Sequence, residues 1–182
     1  MKHLGTKKLR SKRLLLRRFA MEDAEAMYKN WASDPEVTRY LMWDAHSDCS
    51  VSENVAKSWV ESYERPSFYQ WAIVAEQEPI GSISVVNMDD HSESAEVGFC
   101  LARNQWGKGI MMEALAMVMR FLFEEVGVHR VHLKHDVENV GSGRVMIKNG
   151  LRYEGLQKSA MRRADGGWGD LALYALLAEE WE

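Results

Sequence analysis

Asn104-Gln-Trp-Gly-Lys-Gly-Ile-Met-Met-Glu-Ala114 sets two glycines around a lysine, just ahead of an apolar run with helical spacing. The first N–H groups of a helix have no intrahelical partners, and the helix dipole puts partial positive charge at that same end. Glycine lets backbone approach a bulky anion. Phosphate or pyrophosphate is the guest such a turn accepts; a plain strand–helix turn is the alternative. The loop G-x-x-x-x-G-K-[ST] is excluded, because Gly107-Lys108 is followed by Gly109-Ile110. The dinucleotide fingerprint G-x-G-x-x-G is excluded by Met112.

The surroundings are read by periodicity. Arg13–Phe19 has strand character, and Glu22–Trp31 carries Ala24, Met27 and Trp31 on one helical face. Asp34-Pro35 reads as an N-cap with Pro at the first helical position. Ser50–Glu53 fits a capping box ahead of Val51, Val55, Trp59 and Tyr63. Phe68–Ala75, Ile80–Met88 and Ala95–Leu101 are rich in β-branched and aromatic residues, with short turns between them, and suggest an antiparallel meander. Lys108–Val126 is the longest helix, stopped by Gly127. Strand Arg130–His135, helix Val140–Asn149 and strands Arg152–Met161 and Leu171–Leu177 follow. The expected fold class is α+β: a mixed, mostly antiparallel sheet of six to seven strands flanked by helices.

The chain has 182 residues, 46% of them hydrophobic, enough for one sizeable core. With no linker or repeat, residues 1–182 read as a single domain, residues 1–12 forming a basic arm. Eight of the 23 basic residues lie in positions 1–18, which hold no acid. That leaves 15 basic against 27 acidic residues in the remainder, a net of −12. The arm reads as a solvated lead into the first strand, or as a contact for an anionic partner such as RNA or the ribosome. The acidic body could attract a cationic substrate. DNA binding is not expected at a net charge of −4. No apolar run is long enough to span a bilayer and no apolar leader core is present. Cys49 and Cys100 have no paired spacing, so a cytoplasmic protein with free thiols is expected.

Three further stretches join the glycine turn: Ala95-Glu-Val-Gly-Phe-Cys-Leu101 before it, then Glu138-Asn139-Val-Gly-Ser142-Gly-Arg144, then Lys148-Asn-Gly-Leu-Arg-Tyr-Glu-Gly155. With these, the sequence resembles the GCN5-related N-acetyltransferase (GNAT) superfamily over nearly its whole length. It is most similar to the ribosomal-protein N-terminal acetyltransferase (RimJ/RimL-type) branch. Ser11–Arg17, Asp34–Val37 and Asp170–Tyr174 share that likeness. The resemblance implies a GNAT fold with splayed central strands and acetyl-CoA as co-substrate, without a metal. It implies that backbone from Gln105 through Trp106, Gly107, Lys108, Gly109 and Ile110 to Met111 cradles the pyrophosphate. Asn104 departs from the family, which usually has Arg or Gln there; a shorter amide puts that side-chain contact in doubt, not the backbone cradle.

The resemblance also implies direct attack of an amine on the thioester. Phe99, Cys100 and Leu101 occupy the positions whose free backbone groups meet the pantetheine arm, one N–H facing the thioester oxygen. A protein α-amine titrates near ~8, so neutralising it at pH 7 costs about 1.4 kcal/mol; a lysine-like nitrogen near ~10.4 costs roughly 4–5 kcal/mol. Glu96 is the candidate general base, since strand alternation sets it on one face with Gly98 and Cys100. A cleft carboxylate could have a raised pKa; a salt-bridged surface carboxylate is the alternative. The family places an Asn and a Ser near pantetheine and the sulfur; Asn139 and Ser142 match, with helix capping as their structural reading. Ser142 could protonate the leaving thiolate, with Tyr153 as the runner-up.

His129, His132 and His135 alternate faces on one strand, which argues against a metal cluster. Met111, Met112, Met117 and Met119 read as helix core. Cys100 has no evident activating neighbour for a nucleophile. Three functions remain: acetylation of a peptide or protein N-terminus, acetylation of a small amine (polyamine, amino acid or antibiotic), or non-catalytic acyl-CoA binding. Acceptor specificity is expected in the loops Met42–Cys49 and Ala164–Gly169. A monomer or homodimer is expected, the latter if the final strand is exposed.

Overall fold

In a computed structural model, which describes residues 1–181, the chain builds one eight-stranded sheet in the order β1-β2-β3-β4-β5-β6-β8-β7. The strands are β1 Leu9–Arg10, β2 Leu15–Arg17, β3 Gln70–Ala75, β4 Glu78–Asp89, β5 Ser94–Leu101, β6 Arg130–Asp136, β7 Arg152–Arg162 and β8 Trp168–Leu177. The strand beyond the expected six or seven is the two-residue β1, too short to show a period. The final strand lies between β6 and β7, so β7 forms that edge of the sheet.

Every pairing is antiparallel except β5 with β6. That parallel pairing covers only Ser94↔Arg130, Ala95↔Val131 and Glu96↔His132. Beyond Glu96, β5 stays bonded to β4 as far as Leu101, while β6 stays bonded to β8 as far as Asp136. The two strands therefore part, and a gap opens between their C-terminal halves.

Helices α1 Asp23–Met27, α2 Pro35–Thr38 and α3 Cys49–Ser62 sit on one side, around Trp31, Ala32, Tyr63 and Ala56. On the other side, α4 Ile110–Arg120 packs Ala114, Leu115, Val118 and Met119 against Trp71, Ile83 and Val97. Met112 and Met117, at i and i+5, fall off the buried stripe of α4 and are not fully buried. The α4 segment winds on as a π-helix from Phe121 to Val126 and stops at Gly127, whose φ of 78° suits glycine. α5 Val140–Lys148 follows β6.

Two local readings change. Asp48, not Ser50, caps α3 by accepting from the Ser50 N–H at 2.9 Å. The first residues are also no free arm: Lys2 N donates to Val126 O at 2.7 Å and Gly5 N to Pro66 O at 2.7 Å. Arg13 donates to Glu113 at 2.6 Å and to the Lys108 carbonyl at 3.1 Å, so it buttresses the glycine turn. Arg17 pairs with buried Asp23 at 2.6 Å.

Candidate active site

The gap between β5 and β6 exposes backbone. The Ala102 N–H donates to Ile80 O at 2.8 Å, so alternation turns the Cys100 and Gly98 backbone groups toward β4 and those of Phe99 and Leu101 toward the gap. The Leu101 carbonyl is already taken by Trp106 Nε1 at 2.8 Å. The Phe99 and Leu101 N–H groups remain to meet a ligand lying in the gap.

One cavity, about 730 Å³, runs from Phe99, Cys100 and Leu101 along the glycine turn to Asn139, Ser142, Arg144 and Lys148. Gly107 and Gly109 have φ of 76° and 73°. No side chain caps α4 at Gly109, which leaves its first N–H groups free. A Cβ on Gly107 would meet nothing within 4 Å, so the turn is open to an approaching anion. Gln105, Trp106, Ile110 and Met111 line the same cavity, whereas Asn104 and Lys108 do not. The Lys108 ammonium instead donates to Gln105 Oε1 at 3.1 Å. Bare N–H groups, a helix start and two cations together fit a pyrophosphate.

A second cavity, about 550 Å³, opens on the other side of β5. Trp31, Tyr40, Trp43, His46 and Trp59 give it an aromatic wall, with Met42 beside them. Met42, Trp43 and His46 of the Met42–Cys49 loop line it, and none of Ala164–Gly169 does. Phe99, Cys100, Asn139 and Ser142 line both cavities and mark their junction.

Glu96 lies in this second cavity and is ion-paired. Lys134 Nζ stands 2.9 Å from Oε1; His132 Nε2 is 3.8 Å from Oε2, beyond hydrogen-bond reach. The His132 ring and the Lys134 ammonium together hold the Glu96 carboxyl at about 2, the reverse of a raised value. Asp136, with its side chain fully buried, is the other carboxylate of the cavity. Burial would raise its pKa. Arg163, bonded at 2.6 and 2.8 Å, and the Glu138 N–H at 2.9 Å outweigh burial and hold it below the usual carboxylate range.

Asp136 also organises the turn into α5. Its carbonyl accepts from Asn139 N at 2.8 Å and stands 2.7 Å from His135 Nδ1. His135 Nδ1 therefore carries the hydrogen, and its buried Nε2 finds no partner among the described residues. That ring fits under α5 because Gly143 has no side chain: a Cβ there would lie 2.8 Å from Nε2. The Asn139 side chain caps α5, accepting from the Ser142 N–H at 3.2 Å. The Ser142 hydroxyl is not used by that cap.

Cys100 Sγ lies 3.3 Å from Ser82 Oγ, and burial pushes the thiol pKa up, against a nucleophile. Tyr153 is 57% exposed and lines neither cavity. Its ring packs edge-on against Tyr174 at 5.6 Å, so the structure gives it no place beside the junction. Lys134, Asp136, Arg163 and Arg144 were missed by the sequence reading. Arg163 carried no local signal, because its partner lies 27 positions away.

A splayed parallel pair beside a bare helix start can take a long ligand that ends in phosphates, with its other end at the junction of the two cavities. The acetyltransferase (GNAT) domain profile matches residues 13–152, and the chain belongs to that family. It is 30% identical over 174 residues to the uncharacterized N-acetyltransferase YnaD of Bacillus subtilis (strain 168), covering 94% of this chain and 97% of that one. It is 30% identical over 107 residues to the ribosomal protein uS5-alanine N-acetyltransferase of Escherichia coli (strain K12), covering 58% of this chain and 55% of that protein. A GNAT-family acetyltransferase structure from Bacillus anthracis superposes with a TM-score of 0.84 at 26% identity, covering 96% and 100% of the two chains. RimL, the ribosomal L7/L12 α-N-protein acetyltransferase, solved with coenzyme A, superposes with a TM-score of 0.85 at 20% identity, covering 94% and 98%. The protein is an N-acetyltransferase of the GNAT family.

Proposed function

We propose that this enzyme transfers the acetyl group of acetyl-CoA to the α-amine of a peptide or protein N-terminus. The pyrophosphate lies on the Gly107–Gly109 turn, with Arg144 and Lys148 opposite. The pantetheine arm pairs with Phe99 and Leu101 in the gap, which brings the thioester to the junction. A gap-facing N–H polarises the carbonyl, and the neutral amine attacks from the aromatic cavity. The carbon–sulfur bond breaks as the Ser142 hydroxyl donates its hydrogen to the departing sulfur, and the proton given up by the new amide nitrogen restores that hydroxyl.

The observation that carries the acceptor is the state of the two cavity carboxylates. Glu96 is held by Lys134 and Asp136 by Arg163, so no free carboxylate awaits a second ammonium. A polyamine or polycationic antibiotic would find neither cavity carboxylate free to pair with its further ammonium groups. A single amine on an uncharged body fits. Proton transfer from an ammonium near ~8 to Glu96 is strongly uphill, so the amine loses its proton to solvent and Glu96 acts as a positioning residue in an ion pair. At about 1.4 kcal/mol for an α-amine at pH 7 that loss is tolerable; a lysine-like nitrogen costs roughly three times more. The Escherichia coli relative named for a ribosomal protein supports the same acceptor class.

The test is CoA thiol release from acetyl-CoA with short peptides bearing free Ser, Ala or Asp N-termini, against polyamines and free amino acids. Turnover of peptides above the small amines is expected. Turnover confined to small amines would overturn the reading. Stabilisation by acetyl-CoA without any turnover would make the protein a binding module.

A further inference from the structure

The aromatic cavity is not closed at its far end. Gln70, Ser84 and Val86 line it and also line a third, more open cleft of about 550 Å³. That cleft continues over Val85, Asn87 and Met88 of β4 toward Arg65 and Asp90. One trough therefore follows β4 from Ser82, beside Cys100 at the junction, to Met88. Six residue steps along a strand span about 20 Å, the length of roughly six extended residues.

The floor of the trough has features a compact amine would never touch. The β4 register shifts between Val85 and Asn87, which throws Val86 out of the ladder, and Val86 is 59% exposed. Gly98 makes room for it, since a Cβ there would lie 3.0 Å from Val86 Cγ1. Beyond Val86 the lining turns polar. Asp90 is engaged by His3 at 2.9 Å, but Arg65 has no carboxylate partner among the described residues. Its guanidinium sits over Phe68 at 5.4 Å and donates only to Ser62 at 2.8 Å. Extending the Gln70↔Ser84 register sets Phe68 opposite Val86, so Arg65, over the Phe68 ring, lies alongside the trough at that level, about four strand residues, or ~13 Å, from Ser82.

We propose that the trough binds the first five or six residues of a polypeptide acceptor in extended form, with Arg65 receiving an acidic side chain near the fourth residue. This deepens the N-terminal acetyltransferase reading and rests on it. The first residues occupy the aromatic cavity, about the fourth crosses Val86 beside Arg65, and the next ones lie in the polar cleft.

The experiment is a length series of peptide amides sharing one N-terminal sequence, from two to eight residues, read by CoA release at saturating acetyl-CoA. A matched pair carries Glu or Lys at position four. kcat/KM is expected to rise at least about tenfold between two and six residues and then level off. The Glu peptide is expected to lead, and Arg65→Glu is expected to reverse that order, a result no general loss of structure would give. Val86→Trp, which blocks the trough, is expected to abolish the gain with length. Peptide turnover that is flat with length, or a Glu-to-Lys preference unmoved by Arg65→Glu, overturns the trough and leaves the N-terminal reading standing. Turnover of small amines but of no peptide overturns both. If nothing is turned over, peptide binding to the CoA-loaded protein is read by calorimetric titration, and equal or absent binding at every length overturns the proposal.

Discussion

Lys134 Nζ lies 2.9 Å from Glu96 Oε1, across the gap at the point where β5 and β6 part. The pair ties the two strands at the root of the splay, and the His132 ring together with the Lys134 ammonium holds the carboxylate at about 2. Lys134→Gln should return Glu96 toward the ordinary range near ~4.3, visible in a side-chain carboxyl NMR titration. Glu96→Gln should lower kcat by less than about tenfold, because removing a true general base costs about 10²–10⁴. A larger loss would restore Glu96 as the base.

The pH profile follows from the same pair. Both cavity carboxylates have depressed pKa values, so they stay ionised between about pH 5 and 9 and supply no limb to the rate there. The rising limb of kcat/KM should follow the acceptor, near ~8 for an α-amine and near ~10.4 for a lysine side chain. Stability has the opposite edge. The folded values of Glu96 and Asp136 lie below the unfolded ones, so their contribution is present above about pH 4 and is lost as pH falls further. Thermal melts from neutral to acid pH would show it as a falling Tm.

Much of this site was legible in the chain, for physical reasons that differ by residue. The glycine turn was readable because positive φ at Gly107 and Gly109 demands a residue type. The faces of β5 followed from period two, and Asn139 from its place at a helix start. The ion pairs were not readable. Lys134 meets Glu96 through a strand pairing 38 positions apart in sequence, and Arg163 reaches Asp136 from a hairpin whose course no local pattern sets. Tyr153 was drawn toward the site by its neighbours in sequence, yet the edge strand β7 carries it outside both cavities.

Gly109→Ala tests the cradle. A φ of 73° costs a residue bearing Cβ about 1–2 kcal/mol, although its nearest neighbour, Arg13 Nη2, is a comfortable 3.6 Å away. Tm should therefore fall modestly. Binding of acetyl-CoA should weaken as the N–H groups at the start of α4 turn away, which calorimetric titration would measure.

Arg163→Ala should be the most destabilising of these changes. It strands the fully buried Asp136 carboxylate, and breaking such a pair costs about 3–5 kcal/mol. Gly169→Ala should act similarly, since its Cβ would fall 2.1 Å from Asp136 Oδ2. Denaturant melts give the loss directly. Because Asp136 also receives the Asn139 N–H, kcat should drop in any folded fraction.

Ser142 and Asn139 separate chemistry from capping. The cap runs from the backbone N–H of Ser142 to Asn139 Oδ1, so Ser142→Ala leaves it intact. That variant should hold its Tm within about 0.5 kcal/mol of stability. If the hydroxyl protonates the thiolate, kcat should nevertheless fall by about 10²-fold, the lower end for a general acid. Asn139→Ala removes the cap and should cost about 1 kcal/mol of stability. Its effect on rate should come through a displaced Ser142. A thioester whose leaving thiol has a lower pKa needs less protonation, so it should recover much of the rate in Ser142→Ala, and also in Asn139→Ala where the displaced hydroxyl is the cause of the loss. No recovery in Ser142→Ala would mean that Ser142, like Asn139, only shapes the start of α5.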